Sequence, residues 1–357
     1  MTTEFPQTIR AVVTNPKLAS LELKEIPFAS RSDIIYLGPN AVVVRNQAIA
    51  LNPLSPQYAY EGWAADKSAV MGTDGAGTVI AVGSNVKHVK VGDRVSGMVF
   101  GASSQSNGTF AESTCSVTSM VMQSAPTALQ ADERCHSGYS HGIRCCPFHF
   151  EWHDAAPDAC GHSGATAVGH HAVQLAHLSG YRVFTTASPA NHQRLLELGA
   201  DKCFDYRSPS VVDDIKAAAG EQGIYAAYDT PASNGSTANS IGPNGGRVMS
   251  TVPADASLQA RRSDVEVGFV LVYTMVGYPF KFANGFDFPA LHEDNRRALE
   301  WVTQKLPALL EGWQEGQGSA RYKPQKLRFN HGLDKAHEGV AILGKGAYQA
   351  EKLVYLI

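Results

Sequence analysis

Hydrophobic and polar positions follow two different patterns along this 357-residue chain, and the pattern changes near residue 163. Beyond that point, short apolar runs alternate with segments of helical periodicity. The apolar runs that predict strands are Tyr181–Ala187, Lys202–Tyr206, Ile224–Thr230 and Gly246–Val252. Helices are predicted from Ser188-Pro189 to a stop at Gly199, and over Ser210–Ala219. Strand and helix in alternation predict right-handed βαβ units on a parallel sheet.

A turn of small residues stands at the head of this pattern. Ser163-Gly164-Ala165-Thr166-Ala167 leads directly into an amphipathic helix, whose apolar positions are Val168, Ala172, Leu175 and Ala176. Such a turn lets backbone N–H groups and a helix N-terminus approach a phosphate closely. The turn alone is weak evidence, because many ordinary helices open in this way. Followed by βαβ units, it predicts a dinucleotide-binding site.

The end of the second strand indicates which dinucleotide binds. Sites for NAD usually carry an acidic residue there, which holds the ribose 2′-hydroxyl. Here the strand ends at Ala187-Ser188 and is followed by Asn191, His192 and Arg194, with no carboxylate before Glu197. Ser188 and Asn191 can donate to a 2′-phosphate and Arg194 can add charge, so NADP is favoured. Ser188 is equally well placed as a helix N-cap, and a cap can do both.

The N-terminal third has short apolar strands separated by glycines. Ala41–Ala50, Gly77–Val82 and Val91–Phe100 predict a compact, irregular β-barrel. Towards the C-terminus, Leu291–Trp313 has helical periodicity, with Leu299, Val302, Leu306 and Leu310 on one face. A short helix within Gly332–Leu343 and a final strand at Lys352–Ile357 complete the prediction.

Composition limits the possible functions. The formal net charge is −3 and 44% of the residues are hydrophobic, so we expect two globular domains and neither a nucleic acid nor a membrane as partner. No apolar run is long enough to span a bilayer, and Met1–Arg10 lacks a signal-peptide core. The six cysteines do not resemble a secreted disulfide framework. A cytoplasmic enzyme is the expectation.

Several motifs together resemble the medium-chain dehydrogenase/reductase superfamily. They are Leu51-Asn52-Pro53, the run Met71–Val79, Val91–Val95, Gly108–Glu112, Ala165–Gly169 and Glu351–Tyr355. Gly169–Ala176 and Thr185–Pro189 narrow the resemblance to fungal trans-acting enoyl reductases and related toxin-cluster dehydrogenases. The resemblance implies an α/β protein: a GroES-like β-barrel catalytic domain plus a Rossmann doubly wound parallel sheet. We place the catalytic domain at 1–155 with a C-terminal return at 290–357, and the NADP-binding Rossmann domain at 156–289.

The same resemblance implies where NADP and substrate bind. Leu54 and Ser55 would approach the nicotinamide, and Ala165, Thr166, Ala167 and Val168 would bind the pyrophosphate. The positions implied for the remainder of the cofactor are Ser188, Pro189, Ala190, Asn191, Tyr206, Thr251, Val252, Tyr348 and Gln349. Gly268-Phe269-Val270-Leu271-Val272 would border an acyl-chain channel. The alternative for this last run is a sixth core strand, which we favour for Val270 and Leu271.

Zinc-dependent relatives place a Cys near Leu51-Asn52 and a His where Thr73 stands, and both ligands are absent here. Asn and Thr do not replace thiolate and imidazole, so we expect no metal. The chemistry then shifts from alcohol oxidation towards NADPH-dependent reduction of a C=C bond conjugated to a carbonyl. No catalytic residue can be named. Tyr58 and Tyr60 lie near the right motif as proton donors, but packing is the favoured role for both.

Residues 115–162 do not follow the family pattern. Asp154–His162, which should form the strand before the dinucleotide turn, contains Pro157 and two aspartates, so we expect that strand to be missing. The histidines and cysteines of the segment show no regular zinc spacing. A shifted reading frame or a mispredicted splice junction is one hypothesis for the segment, and transcript sequencing tests it.

Three functions remain open from the sequence. The first is a trans-acting enoyl reductase that takes a carrier-bound acyl substrate from a polyketide synthase. The second is a quinone or enone oxidoreductase with a small diffusible substrate. The third is a catalytically impaired NADP-binding relative, which is favoured if Asp154–His162 forms no strand.

Overall fold

The computed structural model describes most of the chain in two compact units. The described residues are 6–15, 17, 19–28, 38–63, 68–103, 107–117, 120–123, 158–229, 236–251, 262–282, 285–312, 314, 317–346 and 351–357. The first unit comprises residues 1–140 and 273–357, and the second comprises 141–272. Residues 273–289 therefore group with the first unit, whereas the sequence assigned them to the Rossmann domain. The border between the two units was predicted at residues 155–156 and lies at residues 140–141 in the structure. Both positions are outside the described ranges.

A mainly antiparallel sheet forms the core of the first unit. Its strands are β3 (Ala41–Ala50), β4 (Asp74–Val82), β5 (Arg94–Met98), β6 (Ser113–Val117), β7 (Val121–Gln123), β16 (Lys326–His331) and β17 (Glu351–Leu356). The strand order is β16-β17-β3-β4-β5-β7, with β6 also paired to β3. The predicted apolar strands of the N-terminal third are thus present. Strand β3 is central to the sheet, because three strands pair with it: β4, β6 and β17.

Smaller elements surround this sheet. Two further hairpins pair β1 (Thr8–Asn15) with β2 (Ser20–Pro27), and β14 (Phe280–Phe282) with β15 (Phe286–Phe288). A short helix α1 (Ser55–Tyr60) follows β3, and its apolar residues join Leu51, Met71, Phe110 and Tyr355 in one buried cluster. The last strand thereby packs with the first half of the chain.

The second unit is a six-stranded parallel sheet. Its strands are β8 (Asp158–His162), β9 (Arg182–Thr186), β10 (Lys202–Phe204), β11 (Ala226–Asp229), β12 (Gly246–Ser250) and β13 (Val265–Phe269). The helices between them are α2 (Ala167–Leu178), α3 (His192–Glu197), α4 (Val211–Ala219) and α5 (Ser236–Ser240). The parallel sheet predicted from the βαβ pattern is thus present, and its strand order β10-β9-β8-β11-β12-β13 is the doubly wound order that the resemblance implied.

The expectation that the first strand of this sheet is missing was wrong. Strand β8 lies at its centre and pairs in parallel with β9 on one side and β11 on the other. It begins at Asp158, and Pro157 lies outside the described residues. Backbone hydrogen bonds from two neighbours outweigh the weak strand propensity of Asp158 and Gly161. The structural reason for expecting an impaired relative is thereby removed. Within the unusual segment, residues 118–119 and 124–157 lie outside the described residues.

The predicted C-terminal helix is shorter and less regular than Leu291–Trp313. It comprises α6 (His292–Glu300), a π-helical turn at Trp301–Lys305 and α7 (Leu306–Leu309); Trp313 is outside the described residues. Pro307 has no N–H to donate to the preceding turn, and a widened turn accommodates that gap. The helix formed by Ala336–Gly344 (α8) matches the prediction within Gly332–Leu343. Among the described helices, none has both the length and the apolar character needed to cross a membrane.

A buried polar network ties β17 to the start of β4. Lys352 donates from Nζ to Asn52 Oδ1 at 2.7 Å, and the Asn52 amide donates to the carboxylate of Asp74. Lys352 is 4% exposed and Asp74 is 1% exposed. Opposite charges buried this deeply remain stable only with well-placed partners. Asn52 therefore acts as a neutral bridge that satisfies both.

Replacing Lys352 tests this network. We expect Lys352→Met to lower the free energy of unfolding by about 3–5 kcal/mol, because it removes the charged member of a buried polar network and leaves the Asn52 side-chain carbonyl without its donor. Urea denaturation of Lys352→Met and of the double variant Lys352→Met/Asp74→Asn measures it, and the double variant should recover part of the loss. The control is Lys326→Met, on the adjacent strand, whose side chain is 75% exposed. Equal effects of the two single substitutions would contradict the role of the network.

Candidate functional site

The turn between β8 and α2 has the geometry of a phosphate-binding turn. Its backbone is pinned to the end of β9, because Ser163 N–H donates to Thr186 Oγ1 and Gly164 N–H donates to the Thr186 carbonyl, each at 3.0 Å. Ser163 has φ +61°, a left-handed conformation that few residues other than glycine adopt. Strain of this kind is common where a backbone is shaped for a ligand.

Two glycines are required by close backbone approach in this turn. A Cβ atom on Gly164 would lie 2.3 Å from Thr185 Oγ1, and one on Gly169 would lie 2.3 Å from the Ser163 carbonyl oxygen. Neither position has room for a side chain. The turn is therefore as tight as the sequence suggested, and it brings the start of α2 against the carboxyl end of the sheet.

The first turn of α2 presents free backbone donors. Thr166 is the N-cap: its hydroxyl accepts from Gly169 N–H at 3.0 Å and donates to the Ser163 carbonyl at 2.9 Å. Within the described part of the chain, the N–H groups of Ala167 and Val168 have no acceptor. Ala165, Thr166, Ala167 and Val168 thus lie together where the resemblance implied a pyrophosphate, and the residues fit such a group.

The loop after β9 contains the residues expected near the adenosine. Ser188 precedes a 3-10 turn at Pro189–Asn191, and its hydroxyl accepts from the Asn191 amide at 2.9 Å. Ser188 thus takes the N-cap position without making the capping hydrogen bond. Of the other residues implied there, Tyr206 is 57% exposed beside Arg207, and Thr251 directly follows β12. Val252, Tyr348 and Gln349 lie outside the described residues.

Arg194 is a partly buried cation with unused donors. Its Nη1 lies 3.1 Å from His170 Nδ1, whereas Nε and Nη2 are buried without a hydrogen-bond partner in the described part of the chain. Burial lowers the pKa of the Arg194 guanidinium. Both residues stand in the N-terminal halves of their helices, His170 in α2 and Arg194 in α3. Helix N-termini in a parallel sheet lie at the carboxyl ends of the strands, where ligands bind.

In the first unit, the expected nicotinamide side begins at the turn after β3. Leu54 is the residue before α1 and packs against the buried cluster of that unit, and Ser55 is 6% exposed. The Ser55 hydroxyl accepts from Asn52 N–H at 3.3 Å, while Ser55 N–H donates to the Asn52 carbonyl at 2.9 Å. Asn52 therefore shapes this turn and also bridges Lys352 and Asp74.

The residues at the position of the zinc ligands in zinc-dependent relatives do not fit a zinc ion. Asn52, Thr73 and Asp74 offer an amide, a hydroxyl and one carboxylate, and the carboxylate is held by Asn52. Zinc sites use cysteine, histidine and carboxylate ligands in tetrahedral sets. Across the described ranges, no three His, Cys, Asp or Glu side chains cluster as metal ligands would.

Beside this position lies a group of buried hydroxyls, those of Thr73, Tyr58 and Tyr273. Thr73 Oγ1 and Tyr273 Oη are 3.4 Å apart. Burial, reinforced by the neighbouring Tyr273, raises the pKa of Tyr58. Tyr58 is only 6% exposed and packs edge-on against Trp63, as expected of a packing residue, whereas Tyr60 on the same helix is 39% exposed. The sequence analysis did not find Tyr273, because 200 residues separate it from Thr73.

The proposed acyl-channel run divides into two parts. Gly268 and Phe269 end β13, the edge strand of the parallel sheet, and Val270, Leu271 and Val272 follow it as buried residues. Val270 and Leu271 are buried, as the alternative favoured for them expects, but they follow the strand and are not part of it. The channel role of the run stays a prediction.

Family comparisons agree with this architecture. The alcohol dehydrogenase GroES-like domain family matches residues 38–127, and the zinc-binding dehydrogenase family matches residues 167–251. Among solved structures, a quinone oxidoreductase of Pseudomonas syringae pv. tomato superposes with a TM-score of 0.71 at 19% identity, covering 98% of this chain and 100% of that one. A mycobacterial protein complexed with NADPH gives a TM-score of 0.67 at 17% identity, covering 98% and 100%. At these identities, the two superpositions show a shared fold.

Among proteins of assigned function, the chain is 30% identical over 346 residues to a trans-enoyl reductase of Macrophomina phaseolina, covering 90% of this chain and 92% of that protein. A trans-enoyl reductase of Thermothelomyces thermophilus is 29% identical, covering 99% and 98%. The chain belongs to the medium-chain dehydrogenase/reductase superfamily of oxidoreductases, and within it is related to the fungal trans-enoyl reductases.

Proposed function

We propose that this protein is a trans-acting enoyl reductase that uses NADPH to reduce the C=C bond of an α,β-unsaturated thioester. The observation that carries the proposal is the dinucleotide turn at Ser163–Gly169, in a chain related over nearly its whole length to trans-enoyl reductases. When bound, the cofactor supplies a hydride. The donors of Ala167 and Val168 would hold its pyrophosphate, and the turn at Asn52–Ser55 would support the nicotinamide.

The environment of Arg194 supports NADP over NAD. Two of its guanidinium nitrogens are buried without a partner among the described residues, and burying an unpaired cation is costly. The 2′-phosphate that distinguishes NADP from NAD is an anion that arginine binds well. The free acceptor and donor capacity of Ser188 and Asn191 adds hydrogen bonds at the same end of the sheet.

The substrate and partner are proposals of the same kind. A trans-acting reductase receives its acyl chain from a separate synthase, so we propose a carrier-bound acyl substrate delivered by a polyketide synthase. The run Gly268–Val272 is the proposed border of the acyl channel. In the first unit, the position next to Thr73 offers hydroxyl groups rather than metal ligands, which suits a reaction in which an activated alkene already delocalises its charge.

An NADPH-consumption assay with an enoyl thioester tests the proposal. The protein should oxidise NADPH with a crotonyl or longer enoyl thioester, and a carrier-linked thioester should have a lower KM than the same acyl group on a short thiol. NADPH oxidation with a free enone or a quinone, and none with a thioester, would favour the diffusible-substrate alternative. A protein that binds NADPH and oxidises it with none of these would be a non-catalytic relative.

Enlarging Gly164 tests the binding turn. We expect Gly164→Ala to weaken NADPH binding by about 10-fold or more, because its Cβ atom would displace the backbone that faces the phosphates. Fluorescence titration with NADPH measures the Kd. The control is Gly344→Ala in α8, where a Cβ atom meets only Pro56 atoms at 3.5 Å or more. Unchanged binding in Gly164→Ala would contradict the site.

Removing Arg194 tests the choice of cofactor. Arg194→Leu should weaken NADPH binding by about 10- to 100-fold, the value of a charge-assisted hydrogen bond, and leave the weaker NADH binding unchanged. Titration with both cofactors separates the two effects. Arg247→Leu is the matched control, because Arg247 is near the start of β12, at the opposite end of the strands, and pairs with Glu266. An equal loss for NADH and NADPH would contradict recognition of the 2′-phosphate.

A further inference from the structure

A polar pair joins the two helices next to the dinucleotide turn of the second unit. His170 in α2 is 1% exposed, and its Nδ1 lies 3.1 Å from Nη1 of Arg194 in α3. The side chain of Arg194 is only partly buried and reaches the surface, whereas the histidine ring is enclosed. The function proposed above uses Arg194 and gives His170 no role.

The chemistry of the two side chains fixes the hydrogen bond between them. Arginine nitrogens only donate, so Nδ1 of His170 must accept, and the ring is then neutral with its proton on Nε2. The side-chain amide of Gln174 lies 3.1 Å from Nε2, and an amide can present either its oxygen or its nitrogen to a neighbour. The ring of His170 is therefore contacted at both nitrogens, and Nδ1 faces the guanidinium as an acceptor.

Arg194 has two donors left after this hydrogen bond. Its Nε and Nη2 are buried and have no acceptor in the described part of the chain. These two nitrogens share one edge of the guanidinium, and their parallel N–H groups match two oxygens of a phosphate. A buried donor without an acceptor costs free energy, which a bound phosphate would remove. His170 occupies Nη1 alone and leaves this edge free.

The pair lies between the residues expected at the two phosphate sites of the cofactor. Asn191, whose amide donates to the Ser188 hydroxyl, is three residues before Arg194, so the two share one side of the chain at the start of α3. His170 follows the free backbone donors of Val168 and its neighbour within the first turns of α2. A contact between His170 and Arg194 therefore joins the pyrophosphate turn to the loop expected at the 2′-phosphate.

We propose that His170 is a positioning residue, which holds Arg194 ready for the 2′-phosphate and so contributes to a preference for NADP over NAD. The inference rests on the proposed function, in which Arg194 binds that phosphate. An arginine side chain has many rotamers, and ordering it only when the ligand arrives reduces affinity. A hydrogen bond to His170 orders the side chain beforehand and leaves the edge of Nε and Nη2 for the phosphate.

Fluorescence titration of His170→Leu with NADPH and with NADH tests this role. Leucine accepts no hydrogen bond, so the Kd for NADPH should rise about 3- to 10-fold, the effect of one long side chain that must be ordered on binding. The Kd for NADH should stay the same, because NADH has no 2′-phosphate. An equal rise for both cofactors would indicate a general disturbance of α2 and would overturn the proposal.

Two further variants separate positioning from packing. His170→Asn keeps an amide oxygen the same number of bonds from the backbone as Nδ1, so it should recover most of the affinity for NADPH. In an Arg194→Leu background, His170→Leu should have no further effect on the Kd for NADPH, because the histidine acts through the arginine. Losses that add up in the double variant would refute this role.

The controls distinguish failure of this proposal from failure of the proposed function. His177→Leu changes an exposed histidine in the last turn of the same helix and should leave both Kd values unchanged. Thermal midpoints show whether each variant folds, and His170→Ala replaces His170→Leu if leucine prevents folding. A wild type that binds neither cofactor refutes the proposed function itself. A wild type that prefers NADPH, with the same preference in His170→Leu, refutes only the role of His170.

Discussion

The parallel pairing of β8 with β9 and β11 is the constraint on which the second unit depends. Parallel strands of one sheet end at the same edge, so the position of β8 fixes where the following turn emerges. The hydrogen bonds from Ser163 and Gly164 to Thr186 then hold that turn against the neighbouring strand. A single misplaced strand would separate the helix N-terminus from Ser188 and Arg194. The proposed cofactor site is thus a consequence of strand order more than of any one side chain.

In the first unit, the comparable constraint is a set of hydrogen bonds among buried polar side chains. Two sets of polar side chains lie near Thr73. In one, Asn52 bridges the charged groups of Lys352 and Asp74. In the other, the hydroxyl of Thr73 lies beside that of Tyr273. A metal would organise such a position through its ligands. Here hydrogen bonds among buried side chains organise it.

Much of the fold was predictable from local patterns, and the misses have physical causes. Strand β3 was predicted with both of its ends, because its apolar stretches lie between two turn-forming pairs, Pro39-Asn40 and Asn52-Pro53. Strand β8 was missed because its residues have weak propensity, and its stability comes from two neighbours distant in sequence. The C-terminal helix is interrupted by a π-helical turn at Trp301–Lys305 because Pro307 has no N–H to donate to that turn, and the helix ends beyond the proline, at Leu309.

The sequence by itself determined the two architectures, the glycine turn and the residues after β9 that bear on NADP, because these signals are carried by neighbours along the chain. Only the tertiary structure decided which side chains meet across long separations: Lys352 with Asn52, Tyr273 with Thr73, and Arg194 with His170. Periodicity records which face of an element is buried, but it does not record what that face is buried against. The candidate functional groups of this protein are brought together by these contacts between residues distant in sequence.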